Sequence, residues 1–237
     1  MTLAASNRRA WTYEGGRKRR LPPVPGLDHE RGWWAQGAVV AGVDEVGRGA
    51  WAGPVTYAAV VLPSDRRMYK LRDSKLLDAP RREALAARIT DFALDVSLGQ
   101  ASNAELDALG MSDGIRLAAR RAVDGLGLRP DVVLLDGNWD FLHGYGTANV
   151  RIIHGDARSA SIAAASIVAK VSRDAVMTEV CPEHPAYGFS RNKGYPSPEH
   201  QRALARRGPC QLHRHSWAPI RALTGYLPQH SDDAPIV

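Results

Sequence analysis

The feature that most constrains this fold is an apolar run that ends directly in two acidic residues. Ala38 to Val43 predicts a short buried strand, and Asp44 and Glu45 follow at once. Burying a carboxylate at such a position costs free energy unless a cation meets it. The next segment, Gly47-Arg48-Gly49, offers a flexible backbone rich in N–H groups and one positive charge. This combination of metal-binding acids and a basic loop is what a site that cleaves phosphodiesters requires.

The rest of the chain alternates between short β-branched runs and helical repeats of apolar residues. Further strands are predicted at 53–62, 94–98, 130–137 and 150–153, and helices at 79–92, 102–126, 159–180 and from Ser197-Pro198 onward. Within the third helix, residues 161–171 are small and apolar on nearly every face but too few to span a membrane, which favours a buried core helix. The alternation predicts an α/β fold, a sheet with helices on its faces.

Two further acids fall where such a fold places its ligands. Asp136 ends a predicted buried strand, and ligands of open α/β sheets gather at the carboxyl ends of the strands. Asp156 precedes the long helix, whose N-terminus stabilises negative charge. Each also has a plain structural interpretation, because Asp136 before Gly137 is typical of a turn and Asp156 of a helix cap. Together with the first acid pair they form an all-oxygen set, which suits Mg²⁺ or Mn²⁺ rather than Zn²⁺.

The adjacent acids Asp44 and Glu45 carry a geometric condition. Neighbouring residues of a regular strand point to opposite faces, so the two carboxylates share a metal site only if the strand ends there. Gly47 and Gly49 predict such an end.

Charge and cysteine content narrow the partners and the compartment. The 237 residues carry a net charge of +6, which favours a polyanionic partner such as nucleic acid. Residues 1–36 hold seven Lys or Arg and three acids without any sustained period, and predict a mostly disordered basic arm that either tracks phosphates or is merely solvated. The two cysteines fit a reducing cytosol, and Met1 to Arg20 lacks an apolar targeting segment, so we expect a cytoplasmic protein.

In the four acids described above and in further motifs, the chain resembles bacterial ribonuclease HII, the type 2 ribonuclease H family. The resemblance runs from about Val39 to Pro219 and rests on six ordered blocks. The blocks are residues 41–49 with 52–55, Asp73-Ser74-Lys75, residues 134–138, residues 155–171, Tyr187-Gly188-Phe189 with Lys193-Gly194-Tyr195, and residues 213–219.

The resemblance implies an RNase H-like mixed β-sheet flanked by helices, with a small C-terminal helical region. It implies that Asp44, Glu45, Asp136 and Asp156 are the catalytic and metal-binding acids, working with two Mg²⁺ or Mn²⁺ ions. The implied activity is metal-dependent cleavage of the RNA strand of RNA–DNA hybrids. It includes cleavage 5′ of a single ribonucleotide embedded in duplex DNA, with 3′-hydroxyl and 5′-phosphate products, for removal of misincorporated ribonucleotides.

The resemblance also implies how substrate is held. The backbone of Gly47, Arg48 and Gly49, with Tyr195, is expected to read the 2′-hydroxyl at the RNA–DNA junction, the group that distinguishes RNA from DNA. Lys75 and Lys193 are expected to contact phosphates.

We expect four segments. They are a basic, disordered arm at 1–36, a catalytic domain at 37–182, a helical substrate-binding region at 183–227 and a flexible tail at 228–237. We expect a monomer that binds hybrid or ribonucleotide-containing duplex and no membrane; contacts with replication factors do not follow from the sequence.

Two other functions remain open beside this one. The sister family, ribonuclease HIII, shares the acids but usually lacks an arginine between the glycines, so Arg48 argues against it. A catalytically silent nucleic-acid binder on the same fold would bind without cleaving, although all four acids are present.

Overall fold

The protein is built around one five-stranded sheet. The computed structural model describes residues 11–14, 17–20, 24–68, 71 and 78–224. Its strands are β3 (Val40–Val46), β4 (Val55–Val61), β5 (Asp95–Ala101), β6 (Val132–Asp136) and β7 (Ala148–Ile152). The sheet has the order β5-β4-β3-β6-β7, in which β3 pairs antiparallel with β4 and parallel with β6. The mixed sheet expected from the sequence is therefore confirmed.

Helices cover both faces of this sheet. One face packs on α3 (Asn103–Asp124), and the other packs on α2 (Ala79–Phe92) and α4 (Ala160–Glu179). Alternate residues of β4 show the division, since Tyr57 lies in the cluster with α3 while Ala58 lies in the cluster with α2 and α4.

Local sequence signals account for where these helices begin. Ser102 and Glu105 form a reciprocal capping box at the start of α3, as their spacing predicts. Ser159 caps α4, and Asp78 with a following proline starts α2. Each cap satisfies a backbone N–H that the first helical turn leaves free.

The long helix α4 lies against the central strand β3 at very close range. A Cβ atom on Gly42 would lie 2.2 Å from the backbone carbon of Ser161, so only glycine permits this approach. Most residues of the first three turns of α4 are buried, which confirms the expected core helix. Among the residues that the structure describes, no helix is both long enough and apolar enough to cross a membrane.

Three helices follow at the C-terminal end: α5 (Phe189–Asn192), α6 (Pro198–Arg207) and α7 (Ala218–Thr224). Their buried side chains form a separate hydrophobic cluster around Phe189, Leu204 and Ile220. Ser197 caps α6 with proline at the first helical position, as predicted. The boundary between residues 182 and 183 stays a prediction, and the tail predicted at 228–237 lies outside the described residues.

The N-terminal segment has more structure than the sequence suggests. Strands β1 (Trp11–Glu14) and β2 (Arg17–Arg20) pair antiparallel, and α1 (Asp28–Trp34) follows them. Helix α1 is part of the core, because its Glu30 is fully buried against α4. The arm that we expected to be mostly disordered up to residue 36 therefore differs from the structure in these elements. Its short runs carry no long apolar period, and tertiary contacts stabilise α1.

Candidate active site

The four acids singled out in the sequence line a single cavity of about 440 Å³, which we call the carboxylate cavity. Strands β3 and β6 are parallel and in register at Val43 and Leu135, so Asp44 and Asp136 leave the sheet side by side. The remaining lining residues are Glu45, Val46, Gly47, Arg48, Gly49, Arg82, Asp156, Ser166, Lys170 and Tyr195.

Asp44 and Glu45 reach the cavity from opposite faces of β3. The strand ends at Val46, directly before Gly47, so the end predicted at the glycines is present and comes one residue after the acid pair. Asp44 is almost fully buried and hydrogen-bonds Ser166 of α4. Glu45 lies opposite Tyr57 in the register and hydrogen-bonds it on the α3 face. Both carboxylates still line the cavity because it opens at the end of the sheet, where side chains from either face converge.

Burial and mutual repulsion disfavour the charged forms of these acids. Burial raises the pKa of Asp44 well above its usual value, and the neighbouring Glu45 and Asp136 raise it further. Burial also raises the pKa values of Glu45 and Asp136. A cation in the cavity would offset this cost.

The four acids supply the type of ligand that a hard divalent cation takes. Their donors are all oxygens, which suit Mg²⁺ or Mn²⁺. Across residues 24–68 and 78–224, however, no group of three or more His, Cys, Asp or Glu side chains stands close enough together to hold a metal ion.

A short turn joins Asp136 to Asp156. The N–H of Gly155 donates to Asp136 Oδ1 at 2.6 Å, and Asp156 is the next residue in the 3₁₀ turn Gly155–Ala157. The N-cap of α4 is Ser159, so the interpretation of Asp156 as the helix cap is wrong. The turn instead places the fourth acid beside the third.

The loop Gly47–Gly49 forms one wall of the cavity and touches Tyr195. The N–H of Gly47 donates to the Tyr195 hydroxyl at 3.2 Å, although 148 residues separate the two in the chain. Gly47 has φ of 89°, and a Cβ there would lie 2.1 Å from Nε of Arg173. Glycine is therefore required at this position both by the backbone conformation and by the contact.

Two buried arginines, which sequence reasoning missed, hold this wall from behind. Arg214 donates to the carbonyls of Gly47 at 2.7 Å, Arg48 at 2.9 Å and Gly53 at 2.9 Å. Burial and the nearby charge of Arg173 together lower the pKa of Arg214 to about 9.

Arg173 repeats the pattern on the neighbouring segments. It donates to the carbonyls of Ala52, Pro54 and Lys193, and its guanidinium carbon lies 5.3 Å from the Tyr195 ring centroid. Arg214 lies within a block of the family resemblance, whereas nothing in the local pattern marks Arg173.

A pair of buried histidines supports Tyr195 through its backbone. The N–H of Cys210 donates to His213 Nδ1, so Nε2 of His213 carries the proton that bonds His200 Nε2 at 2.9 Å. His200 Nδ1 then donates to the Tyr195 carbonyl at 2.8 Å. Burial lowers the pKa of both rings, that of His213 to about 4, which keeps this chain of hydrogen bonds neutral.

The two lysines that were expected to contact phosphates, Lys75 and Lys193, are not among the described residues that line the carboxylate cavity. Lys193 lines a neighbouring pocket rather than the carboxylate cavity, and its Nζ hydrogen-bonds Thr178. Lys75 lies outside the described residues. Lys170 and Arg82, which the sequence did not mark as substrate contacts, do line the cavity, and Lys170 forms the expected ion pair with Asp174 at 2.7 Å.

A mixed five-stranded sheet that gathers carboxylates where two parallel central strands end defines the RNase H-like class of nucleases. A model of the family described as Ribonuclease HII matches residues 41–220. The chain belongs to the ribonuclease HII family and is an endoribonuclease, a hydrolase of the kind that acts on RNA–DNA hybrids.

Relatives and solved structures agree with this placement. A ribonuclease HII of Streptomyces avermitilis is 50% identical over 185 residues, which cover 78% of this chain and 79% of that protein. One from Jannaschia sp. is 52% identical over 184 residues, covering 78% of this chain and 92% of that protein. The crystal structure of ribonuclease H2 from Pyrococcus horikoshii superposes with a TM-score of 0.68 at 25% identity, covering 78% and 97% of the two chains.

Two further solved structures are complexes, one with a protein and one with a metal ion. The RNase HII of Archaeoglobus fulgidus, solved in complex with PCNA, gives a TM-score of 0.66 at 25% identity and covers 82% of this chain and 98% of its own. Bst-RNase HIII in complex with Mn²⁺ gives 0.58 at 17% identity, covering 79% and 70%, and this likeness concerns the fold alone.

Proposed function

We propose that the chain is a metal-dependent nuclease that hydrolyses the RNA strand of hybrids and cuts 5′ of single ribonucleotides in duplex DNA. The products would carry 3′-hydroxyl and 5′-phosphate ends, and the role would be removal of misincorporated ribonucleotides. The observation that carries the proposal is one cavity that holds both the four acids and the Gly47–Gly49 wall with Tyr195. Cleavage chemistry and recognition of the sugar would therefore act on the same nucleotide.

In this proposal Asp44, Glu45, Asp136 and Asp156 hold two Mg²⁺ or Mn²⁺ ions. When bound, such ions activate the attacking water and stabilise charge on the departing 3′-oxygen. The carboxylates set the position of this chemistry at the carboxyl ends of β3 and β6. Lys170 and Arg82 add positive charge to the cavity lining, where the scissile phosphate would lie.

Recognition of the 2′-hydroxyl would fall to the wall of the cavity. The carbonyls of Gly47 and Arg48 are bound by Arg214, which restrains the peptide units of this loop. A restrained backbone presents its polar groups without reordering when substrate arrives, and the 2′-hydroxyl can both donate and accept. Tyr195, held at both its hydroxyl and its carbonyl, would pack its ring on the adjoining sugar.

The test is cleavage of a labelled DNA duplex that contains one ribonucleotide, in Mg²⁺ and then in Mn²⁺, beside an all-DNA duplex. We expect a single cut 5′ of the ribonucleotide and none in the control. Cleavage of long hybrids alone would favour a ribonuclease HIII type of specificity, and retained binding without any cutting would favour a silent binder. Omission of metal should abolish the cut, because in this proposal the metal ions activate the water and stabilise the departing oxygen.

Replacing Arg48 by alanine should weaken the preference for the junction more than it affects folding. Arg48 is exposed on the cavity wall, so its loss leaves the core intact. We expect the ratio of cleavage rates on single-ribonucleotide duplex and long hybrid to fall by about tenfold, the effect of one charged contact of about 1.4 kcal/mol. Arg129→Ala is the control, because Arg129 is exposed just before β6, at the end opposite the acids. An unchanged ratio would exclude Arg48 from junction reading.

A further inference from the structure

Glu30 is a buried carboxylate that lies outside the region matched by the family model. It sits in α1, before residue 41, and its side chain is completely inaccessible to solvent. Its Oε1 accepts a hydrogen bond from the Ser159 hydroxyl at 2.6 Å and another from the Ser161 N–H at 3.0 Å. Both donors belong to the start of α4, where the helix dipole favours a negative charge. Glu30 thus caps α4 from a different element.

The residue that Glu30 holds is connected to the acids of the active site. The N–H of Ser159 donates to the Gly155 carbonyl at 2.8 Å, and the N–H of Gly155 donates to Asp136 Oδ1 at 2.6 Å. Asp156 is the residue after Gly155. A continuous path of three hydrogen bonds, joined through the residues Ser159 and Gly155, therefore runs from Glu30 to Asp136 and passes directly beside Asp156.

The segment that precedes α1 restrains the same turn from its other side. The N–H of Gly26 donates to the Arg158 carbonyl at 3.2 Å, and the N–H of Ala160 donates to the Gly26 carbonyl at 2.8 Å. The turn that carries Asp156 is thus fastened on both sides by residues 26–30. Burying a carboxylate only to stabilise a helix start would be costly, and its second oxygen, Oε2, has no hydrogen-bond partner among the described residues.

We propose that Glu30 is a positioning residue of the active site, which sets the distance between Asp136 and Asp156 through Ser159 and the Gly155 turn. This inference rests on the proposed function, in which those two acids hold the metal ions. Outer residues that orient metal ligands typically change metal affinity or activity by about 10- to 100-fold when they are removed. Glu30 would act in this manner without touching metal or substrate.

Glu30→Ala and Glu30→Gln separate positioning from simple stabilisation. Glutamine keeps an acceptor oxygen at the same reach, so it should retain both hydrogen bonds to α4, whereas alanine removes them. We expect Glu30→Ala to weaken calorimetric Mn²⁺ binding to the substrate-free protein by about tenfold or more, and to lower kcat by a similar factor. KM for the ribonucleotide-containing duplex should stay within about threefold of the parent, and Glu30→Gln should restore both quantities to within about threefold.

Asp131→Ala, which also removes an acceptor for a backbone N–H, provides a matched control for lost stability. Asp131 also binds a backbone N–H, that of Val39 at 2.8 Å, but at the end of the sheet opposite the acids. It should leave the Mn²⁺ isotherm and kcat unchanged. If Glu30→Ala does not fold, Glu30→Asp, whose shorter side chain cannot reach both donors, takes its place in the same comparison.

Failure of the proposed function can be distinguished from failure of the role proposed for Glu30. Parent protein that neither binds Mn²⁺ nor cleaves would overturn the proposed function and this inference with it. Parent protein that does both, while the alanine or aspartate variant does so equally well, would overturn the role of Glu30 alone. Losses in the Glu30 variants no larger than those in Asp131→Ala would likewise reduce Glu30 to a structural residue.

Discussion

Replacing Asp136 by asparagine is expected to abolish cleavage while the protein remains folded. Asparagine keeps an oxygen that can accept the bond from the Gly155 N–H, but it removes a charge that the metal ions would need. We expect kcat on an RNA–DNA hybrid to fall by more than about 100-fold, since Asp136 would be a direct ligand rather than a supporting residue.

The same substitution should not lower stability. Burial and the nearby Asp156 raise the pKa of Asp136, so in the absence of metal its ionised form is less favourable in the folded than in the unfolded chain. The neutral amide relieves this cost at neutral pH, and the midpoint of thermal unfolding without metal should stay the same or rise.

Asp140→Asn is the control for this experiment. Asp140 Oδ1 accepts from the N–H of Leu142 and from the Asn149 amide, in the loop that follows β6 and away from the cavity lining. It should retain cleavage close to that of the parent. Substantial activity in Asp136→Asn would remove Asp136 from the metal site, and a collapse of both variants would point to the fold rather than to chemistry.

Of the substitutions proposed for this protein, replacing the buried Arg214 by methionine is expected to cause the largest loss of stability. Methionine fills much of the same space, but it removes the Arg214 donor from the carbonyls of Arg48 and Gly53, while the Gly47 carbonyl keeps the N–H of Ala50 at 3.2 Å. Each buried carbonyl left unpaired costs about 1–3 kcal/mol. Relief of the repulsion from Arg173 offsets part of this sum, so we expect the free energy of unfolding in urea to fall by about 3 kcal/mol.

Function should respond along with stability in Arg214 variants. Arg214→Lys keeps the charge but not the planar fork that reaches three carbonyls, so it should fold better than the methionine variant and still lose junction preference. Arg121→Met is the control, because Arg121 forms an exposed pair with Glu105 and should cost under about 1 kcal/mol. If Arg214→Met loses no more than about 1 kcal/mol of stability, the carbonyls that Arg214 bound have found other donors.

The acids could be proposed from sequence because three of them follow apolar runs and the fourth precedes a long helix, and these are local patterns. The runs before Asp44 and Asp136 are apolar enough to be central strands, and parallel neighbours end at the same edge. Helix starts at Ser102, Ser159 and Ser197 were equally accessible, since a cap and its partner lie within one turn.

Other features depend on residues that are far apart in the chain. The reach of Glu45 to the cavity depends on where the sheet ends in space, since β3 ends only one residue beyond Glu45. The Nζ of Lys193 donates a hydrogen bond to Thr178 on α4, and no spacing within the loop of Lys193 indicates this contact. Helix α1 is only seven residues long and is held by contacts with the core, so its own sequence reads as part of an arm.

Short stretches of sequence were enough to predict the α/β fold, the family and the four acids that line the cavity, because strand ends, caps and motif blocks are encoded locally. The contacts that hold these groups in place are visible only in the folded protein: the carbonyls bound by Arg173 and Arg214, the histidine pair behind Tyr195, and Glu30 beneath the Asp156 turn. Each of these is a buried polar side chain whose partners come from distant segments. The physical reason is that a buried charged or polar group must be hydrogen-bonded, and its partners can come from any segment that the fold brings next to it. The spacing of residues along the sequence does not show which segments these are.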